Sequence, residues 1–296
     1  MKLTRHRWLE TRRVAQRAFS LLELMLSISI MVVIVGALYG TFYQTQKALR
    51  SSVNQVDVLG SGRAAMDLLS RDLSQMAPTR LALGTNFAVF LTPLYTPAVQ
   101  SLPGTGNLFR TNRLQEVYFY SRFGQDVSGT CYRVLYASSN GVGTLSRFTF
   151  ATNLATFRQP VSLLSLLVEQ QPATNFTAIV DGVVHFRVQA YDTFGQPMLW
   201  LTNYYDSNSV WLVPDANDRL SPPLWRETRC TFLSNALPAY VEVELGILDP
   251  TALQQFQSLS GSPLARSFLS NHVGQVQLFR QRVPIAQSAA FYAKYR

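Results

Sequence analysis

The chain has 296 residues, 47% of them apolar and 15% charged, which is enough to bury a hydrophobic core. A mean hydropathy close to zero excludes a polytopic membrane protein. The formal net charge is +9, but Lys2, Arg5, Arg7, Arg12, Arg13 and Arg17 all fall within the first 18 residues, opposed only by Glu10. Basic residues crowded ahead of an apolar run mark a cytoplasmic flank under the positive-inside rule. A nucleic-acid-binding surface spreads them over a folded face, so no nucleic acid is expected as a partner.

The first predicted element follows that flank. Leu24 to Tyr39 carries no charge, and at helical rise Phe19–Tyr43 reaches roughly 37 Å, sufficient for a hydrocarbon core of about 30 Å. A secretory signal peptide has a shorter apolar region followed by a small-residue cleavage site. Here a polar helical stretch continues instead. Val53, Val56 and Leu59, then Met66, Leu69, Leu73 and Met76, recur at three- and four-residue spacing and predict one apolar face packed on a domain. Pro78 stops the pattern, and Gly60-Ser61-Gly62 reads as a weak point in the helix.

Beyond Thr79 the texture becomes β-rich. The runs "FAVFL", "EVYFYSR", "TCYRVLYA", "SRFTFA", "VVHFRVQAYD", "PAYVEVELGIL" and "VGQVQLFRQRV" alternate with Gly, Pro, Asn and Asp clusters. Val184–Val188 and Val241–Leu245 alternate apolar and polar, as antiparallel strands with one wet face do. Leu102–Asn107 and Asp215–Pro223 read as loops, while "PTALQQFQSLS" and "PLARSFLSNH" read as short helices or loop pieces.

A catalytic apparatus is not legible. The sequence has no HExxH, GxSxG, Walker loop or CxxC, and Gly104-Thr105-Gly106 lacks the third glycine and the strand–helix context of a dinucleotide site. His185 is expected to be a strand residue facing water. Asp206, Asn208, Asp215, Asn217 and Asp218 are oxygen ligands in kind, but their spacing fits no EF-hand and loops use such residues anyway. No metal and no cofactor is assigned. Cys131 and Cys230 form a disulfide in an oxidising compartment, or remain two buried thiols.

The first forty residues do carry a chemical argument, centred on Glu23. A carboxylate in a spanning helix costs up to about 2.5–3.5 kcal/mol, less near the interface. A cut before Phe19 would create an α-amino group four residues from Glu23, on the same helical face. That amine can pair with its own Glu23, or with Glu23 of a neighbouring helix staggered along the axis. The alternative is a plain anchor whose Glu23 snorkels into the cytoplasmic headgroups. The segment alone leaves both open.

Ala18-Phe19-Ser20-Leu21-Leu22-Glu23, between a basic leader and an apolar helix, resembles the class III signal of type IV pilins and type II secretion pseudopilins. The resemblance implies cleavage by a prepilin peptidase between Ala18 and Phe19, N-methylation of Phe19, and an assembly role for Glu23. Ala18 stands where most of the family has glycine. "RAAMDLLSRDLSQ", "IVDGVVHFRVQAYD", "LPAYVEVELGILD" and "LFRQRVPI" are similar to parts of J-type minor pseudopilins and W-type minor pilins.

The implied fold is α+β: a long N-terminal helix, transmembrane and then amphipathic, packed on an antiparallel β-rich globular domain. Its divisions are a cleaved leader at 1–18, the helix at 19–77 with its transmembrane part at 19–43, and an extracytoplasmic domain at 78–296. The implied function is that of a structural subunit, not an enzyme. It helps to initiate and cap a type II secretion pseudopilus; the alternatives are a minor pilin for type IV pilus assembly or DNA uptake, and a membrane-anchored binding module that does not polymerise. The implied partners are other minor pseudopilins or pilins, a major pseudopilin, prepilin peptidase, an inner-membrane assembly platform, and lipid before assembly. The implied place is a single pass of the inner membrane, with the N-terminus cytoplasmic and the domain periplasmic, and then the filament tip.

Overall fold

The computed structural model describes residues 20–78, 84–92, 99–101, 109–123, 126–136, 141–153, 173–199, 209–218, 221, 226–259, 262 and 264–288. The chain divides into two compact units, Met1–Val53 and Asn54–Arg296. One helix, α1 (Leu21–Ser74), begins in the first and ends in the second.

In the first unit α1 is unburied, and from Leu24 to Tyr39 it carries no charge on any face. Leu21, Leu22, Met25, Val32, Leu38 and Phe42 are among many large side chains there that are more than half exposed. Its hydroxyls turn back onto the helix: Ser27 donates to the carbonyl of Leu24, Ser29 to Met25, Thr41 to Leu38 and Thr45 to Thr41, at 2.8–2.9 Å. Each polar side chain that satisfies itself in this way can enter an apolar medium without an orphaned donor.

In the second unit α1 buries one face. Val58, Gly62, Ala65, Met66, Leu69, Asp72 and Leu73 are buried, and their three- and four-residue steps trace a single stripe. Met66, Leu69, Leu73 and Met76 lie in the core as the sequence pattern predicts, but Val53 and Val56 are 57% and 66% exposed. The stripe enters through Val58 and two small residues instead. Past Ser74 the chain joins the sheet, Met76 bridging Ser121 and the Ala77 N–H donating to the Tyr120 carbonyl.

Eleven strands follow in the described residues: β1 (Thr85–Leu91), β2 (Val99–Ser101), β3 (Phe109–Thr111), β4 (Gln115–Phe123), β5 (Asp126–Tyr136), β6 (Gly143–Asn153), β7 (Thr177–Tyr191), β8 (Val210–Pro214), β9 (Thr228–Leu233), β10 (Tyr240–Leu248) and β11 (Val276–Pro284). Nine form an antiparallel sheet in the order β11-β10-β7-β6-β5-β4-β1-β9-β8, while β2 and β3 pair separately. The large sheet is strongly curled. Two strands separate β4 from β7 in its order, yet Leu114, at the entry to β4, bridges Phe186 of β7 directly. The architecture is the expected α+β one, pilin-like, with a long apolar helix and an antiparallel β domain.

The main core joins Val58, Met66, Leu69 and Leu73 to Phe87, Phe119, Tyr132, Phe186, Phe232 and Leu245. Burying each Leu or Phe side chain contributes about 1.5–3 kcal/mol. Val241, Val243, Leu245 and Ile247 of β10 face this core, as their alternation predicts. The opposite face is not wet. Glu242 is buried, accepting from Tyr191 and from the Arg280 and Arg282 guanidiniums. Farther along that face, α2 (Pro250–Ser258) and α3 (Leu264–Asn271) cover Val184 and Leu248 with Ala252, Phe256, Ala265 and Leu269.

Two contacts fix α1 on the sheet. A Cβ at Gly62 would stand 2.2 Å from the Phe279 ring, so the glycine admits an aromatic of β11 against the helix backbone. The expected weak point is a close approach. In the last turn of α1, Asp72 accepts hydrogen bonds from the Tyr132 hydroxyl and the Arg147 guanidinium, both at 2.7 Å. Burial first, then the Asp72 carboxylate, push the Tyr132 hydroxyl well above its ordinary range and keep it a donor.

Gly62→Ala should therefore destabilise the chain by about 1–3 kcal/mol, the range for an overpacked core. With Phe279→Ala already present, the same change should instead stabilise it by up to about 1 kcal/mol, the helix-propensity difference between Gly and Ala. Denaturant unfolding of the four variants as a double-mutant cycle checks this. Absence of coupling would remove the contact from the packing.

Candidate functional site

The first described residue, Ser20, is the N-cap of α1. Its Oγ accepts from the Glu23 N–H at 3.2 Å, and its carbonyl accepts from the N–H groups of Glu23 and Leu24 at 3.0 and 3.2 Å. The signal for this in the sequence is Ser20-Leu21-Leu22-Glu23, the S-x-x-E spacing of a capping box. The cap decides where the helix starts, and so places Glu23 in the first turn. A carboxylate there is favoured by the positive end of the helix dipole.

Glu23 is exposed, and among the described residues its carboxylate has no hydrogen-bond or ion-pair partner. In sequence it stands four residues after position 19. Ala18 and Phe19, with the rest of the 1–18 leader, lie outside the described residues. The α1 segment that follows is long and apolar enough to cross a membrane, and none of that stretch is buried.

Elsewhere the polar residues singled out from the sequence do structural work. His185 does not face water; it is 4% exposed. Its Nδ1 accepts from the Arg113 N–H at 3.0 Å and its Nε2 lies 3.2 Å from Glu244 Oε2. Those partners specify the neutral tautomer with the proton on Nε2, donated to Glu244. Burial holds its basicity below the ordinary histidine range, although Glu244 works against that.

Asp215 accepts from the N–H groups of Leu91 and Asn217, stapling a turn to the end of β1. Asp218 pairs with Arg113 at 2.6 Å, and Arg113 also meets Glu227 at 3.1 Å, which Arg187 shares. Burial raises the Asp218 carboxyl, but the Glu227 N–H and the Arg113 guanidinium outweigh it and leave it below the usual range. Asp215 is thus engaged by backbone N–H groups, and Asp218 by backbone and arginine. Asp206 and Asn208 lie outside the described residues, as does the Leu102–Asn107 loop. No group of three or more His, Cys, Asp or Glu residues arranged to hold a metal occurs among the described residues.

The disulfide considered for Cys131 and Cys230 is not formed; both thiols are free and buried. Cys131 of β5 is level with Tyr118 of β4, Tyr118 with Ala88 of β1, and Ala88 with Thr231 of β9. Three strand spacings, about 14 Å, separate the two positions, against an upper limit of about 7 Å between bridged Cα atoms. The side chains also enter different clusters, Cys230 the main core and Cys131 a second one with Phe90, Tyr118 and Tyr120. Burial pushes the Cys131 thiol up to about 12 and raises Cys230 as well, so both behave as small hydrophobes.

What remains as a candidate functional site is the amino-terminal segment. Residues 13–39 match the family model of the prokaryotic N-terminal methylation motif. No curated protein and no solved structure matches the chain. The matched stretch contains Ser20 and Glu23 and runs into the exposed apolar part of α1. The chain carries a type IV pilin-like prepilin signal, at the head of a helix that can anchor it in the inner membrane.

Proposed function

We propose that the chain is a J-like minor pseudopilin, a structural subunit that helps to start and cap a type II secretion pseudopilus. The observation that carries this reading is the position of the methylation motif, at residues 13–39, on a helix that is unburied and apolar at first and seals one face onto a curled β sheet at its end. In this reading the precursor waits in the inner membrane with its leader in the cytoplasm and its β domain in the periplasm. Prepilin peptidase hydrolyses the Ala18–Phe19 amide, leaving a carboxylate on the leader and an ammonium on Phe19. Methylation replaces one N–H hydrogen and keeps the positive charge.

Glu23 then has a role that a lipid anchor does not require. The Phe19 ammonium of a neighbouring helix, staggered along the axis, pairs with it where the dielectric is low and the pair is strong. The same pairing sets the register in which an assembly platform adds this subunit to other minor subunits and to the major pseudopilin. The exposed apolar face of α1 exchanges lipid for those helices. The β domain presents the tip surface.

Two measurements test this. Glu23→Ala should leave the amount of protein in the membrane fraction unchanged or slightly higher, while its amount in sheared filaments falls roughly tenfold, as loss of about 1.4 kcal/mol of assembly free energy would give. Unchanged filament incorporation would remove the role assigned to Glu23. Gold labelling of an epitope on the β domain should mark one end of each filament. Labelling along the length would identify a major subunit, and absence from filaments a non-polymerising module.

A further inference from the structure

Where the sheet curls, a polar junction that the assembly reading does not use joins β4 to β7. Where β4 begins, Arg113 reaches across to β7 through its backbone: its N–H donates to His185 Nδ1 at 3.0 Å, and its carbonyl accepts from the Phe186 N–H at 2.7 Å. Gln115 Oε1 accepts from the Val188 N–H at 2.6 Å one step further on. These bonds close a sheet whose ordinary ladder leaves β5 and β6 between the two strands.

We propose that His185 is an acid-sensitive clasp, whose neutral ring ties the entry of β4 to β7 and whose protonation releases the Arg113 N–H.

The geometry makes the ring's charge state decisive. Nδ1 is an acceptor only while it carries no proton; a proton there would set N–H against N–H at 3.0 Å. The second nitrogen is already committed to Glu244. The ring is buried, so water cannot replace the lost partner without opening the junction. The charged groups around it come from four elements. Glu244 of β10 favours the cation, while Arg110 of β3 and Arg187 of β7 oppose it. Arg280 of β11 lies 3.4 Å from Glu244 and draws on the same carboxylate. Gly246, level with His185 on β10, offers no side chain. Desolvation and two guanidiniums outweigh one shared carboxylate, so the closed clasp holds a neutral ring.

The sign of the effect follows. A histidine whose folded basicity is depressed binds fewer protons closed than open, so acid favours the open form. Stability from the clasp is complete above about pH 6.5, the ordinary histidine value, and is lost as pH falls below it. While the closed ring stays neutral, opening should increase about tenfold per pH unit below that value. The depressed carboxyls of Asp218, Glu242 and Glu244 titrate below the ordinary carboxylate range, in a separate window.

The test is hydrogen-exchange mass spectrometry of the full chain in detergent micelles between pH 7.5 and 5.0, corrected for intrinsic exchange. Protection of the peptide containing Arg113 should fall by more than tenfold, while the α1 peptide containing Leu69 and Leu73 keeps its protection. His185→Asn retains an acceptor without a titrating ring and should flatten the profile. If that variant fails to fold, nitrogen NMR of the wild-type ring decides instead: the closed protein should show the neutral Nε2–H tautomer at about pH 6.5, where an ordinary histidine is half protonated. A flat wild-type profile, equal loss of protection in the α1 peptide, an unaltered slope in His185→Asn, or a ring half protonated at about pH 6.5 in the closed protein would each overturn the clasp.

Discussion

Phe279 fills the space that a side chain at Gly62 would need, and that contact lets the helix lie against the sheet edge. The rest of the β domain follows from sealing this one helical face. Val58, Ala65, Met66, Leu69 and Leu73 supply the knobs, and the sheet curls so that Phe87, Phe119, Phe186, Phe232 and Leu245 all reach them. Asp72 adds direction to an otherwise non-directional interface, because Tyr132 and Arg147 meet its carboxylate in only one register.

Much of this was legible because the period of a pattern is a local property. The uninterrupted apolar run, the 3–4 spacing of Met66, Leu69 and Leu73, and the alternation along β10 each reported their element. What was not legible depends on a partner distant in sequence. Val53 and Val56 fit the helical period and are exposed, and the first buried apolar residue of α1 is Val58. Gly62 looked like a defect because its reason, Phe279, lies 217 residues away. Four strands carry no such local pattern: β2 and β3 have three residues each, β8 ends in Pro214, and β9 mixes its apolar residues with Arg229 and two threonines.

The candidate site divides in the same way. Glu23 was identifiable because a lone carboxylate in an apolar helix is a local anomaly, and its capping serine was three residues away. His185 was misjudged because alternation predicts only which face of a strand a residue takes, not whether that face is covered. Arg113, arriving from the entry to β4, covers it. The cysteines were ambiguous for a related reason. Their spacing along the chain carries no information about the three strands that separate them across the sheet.

The methylation motif, with Ser20 and Glu23 inside it, is what the assembly proposal builds on, because it treats the amino terminus as a segment to be processed and not only an anchor. Processing converts a neutral amide into a cation one turn from a waiting carboxylate, and everything proposed for assembly rests on that conversion. Mass spectrometry of the amino-terminal peptide, from cells with and without prepilin peptidase, tests it most directly. A chain beginning at N-methylated Phe19, seen only when the peptidase is present, is the expected result. An intact leader in peptidase-containing cells, or a cut at any other bond, would contradict it.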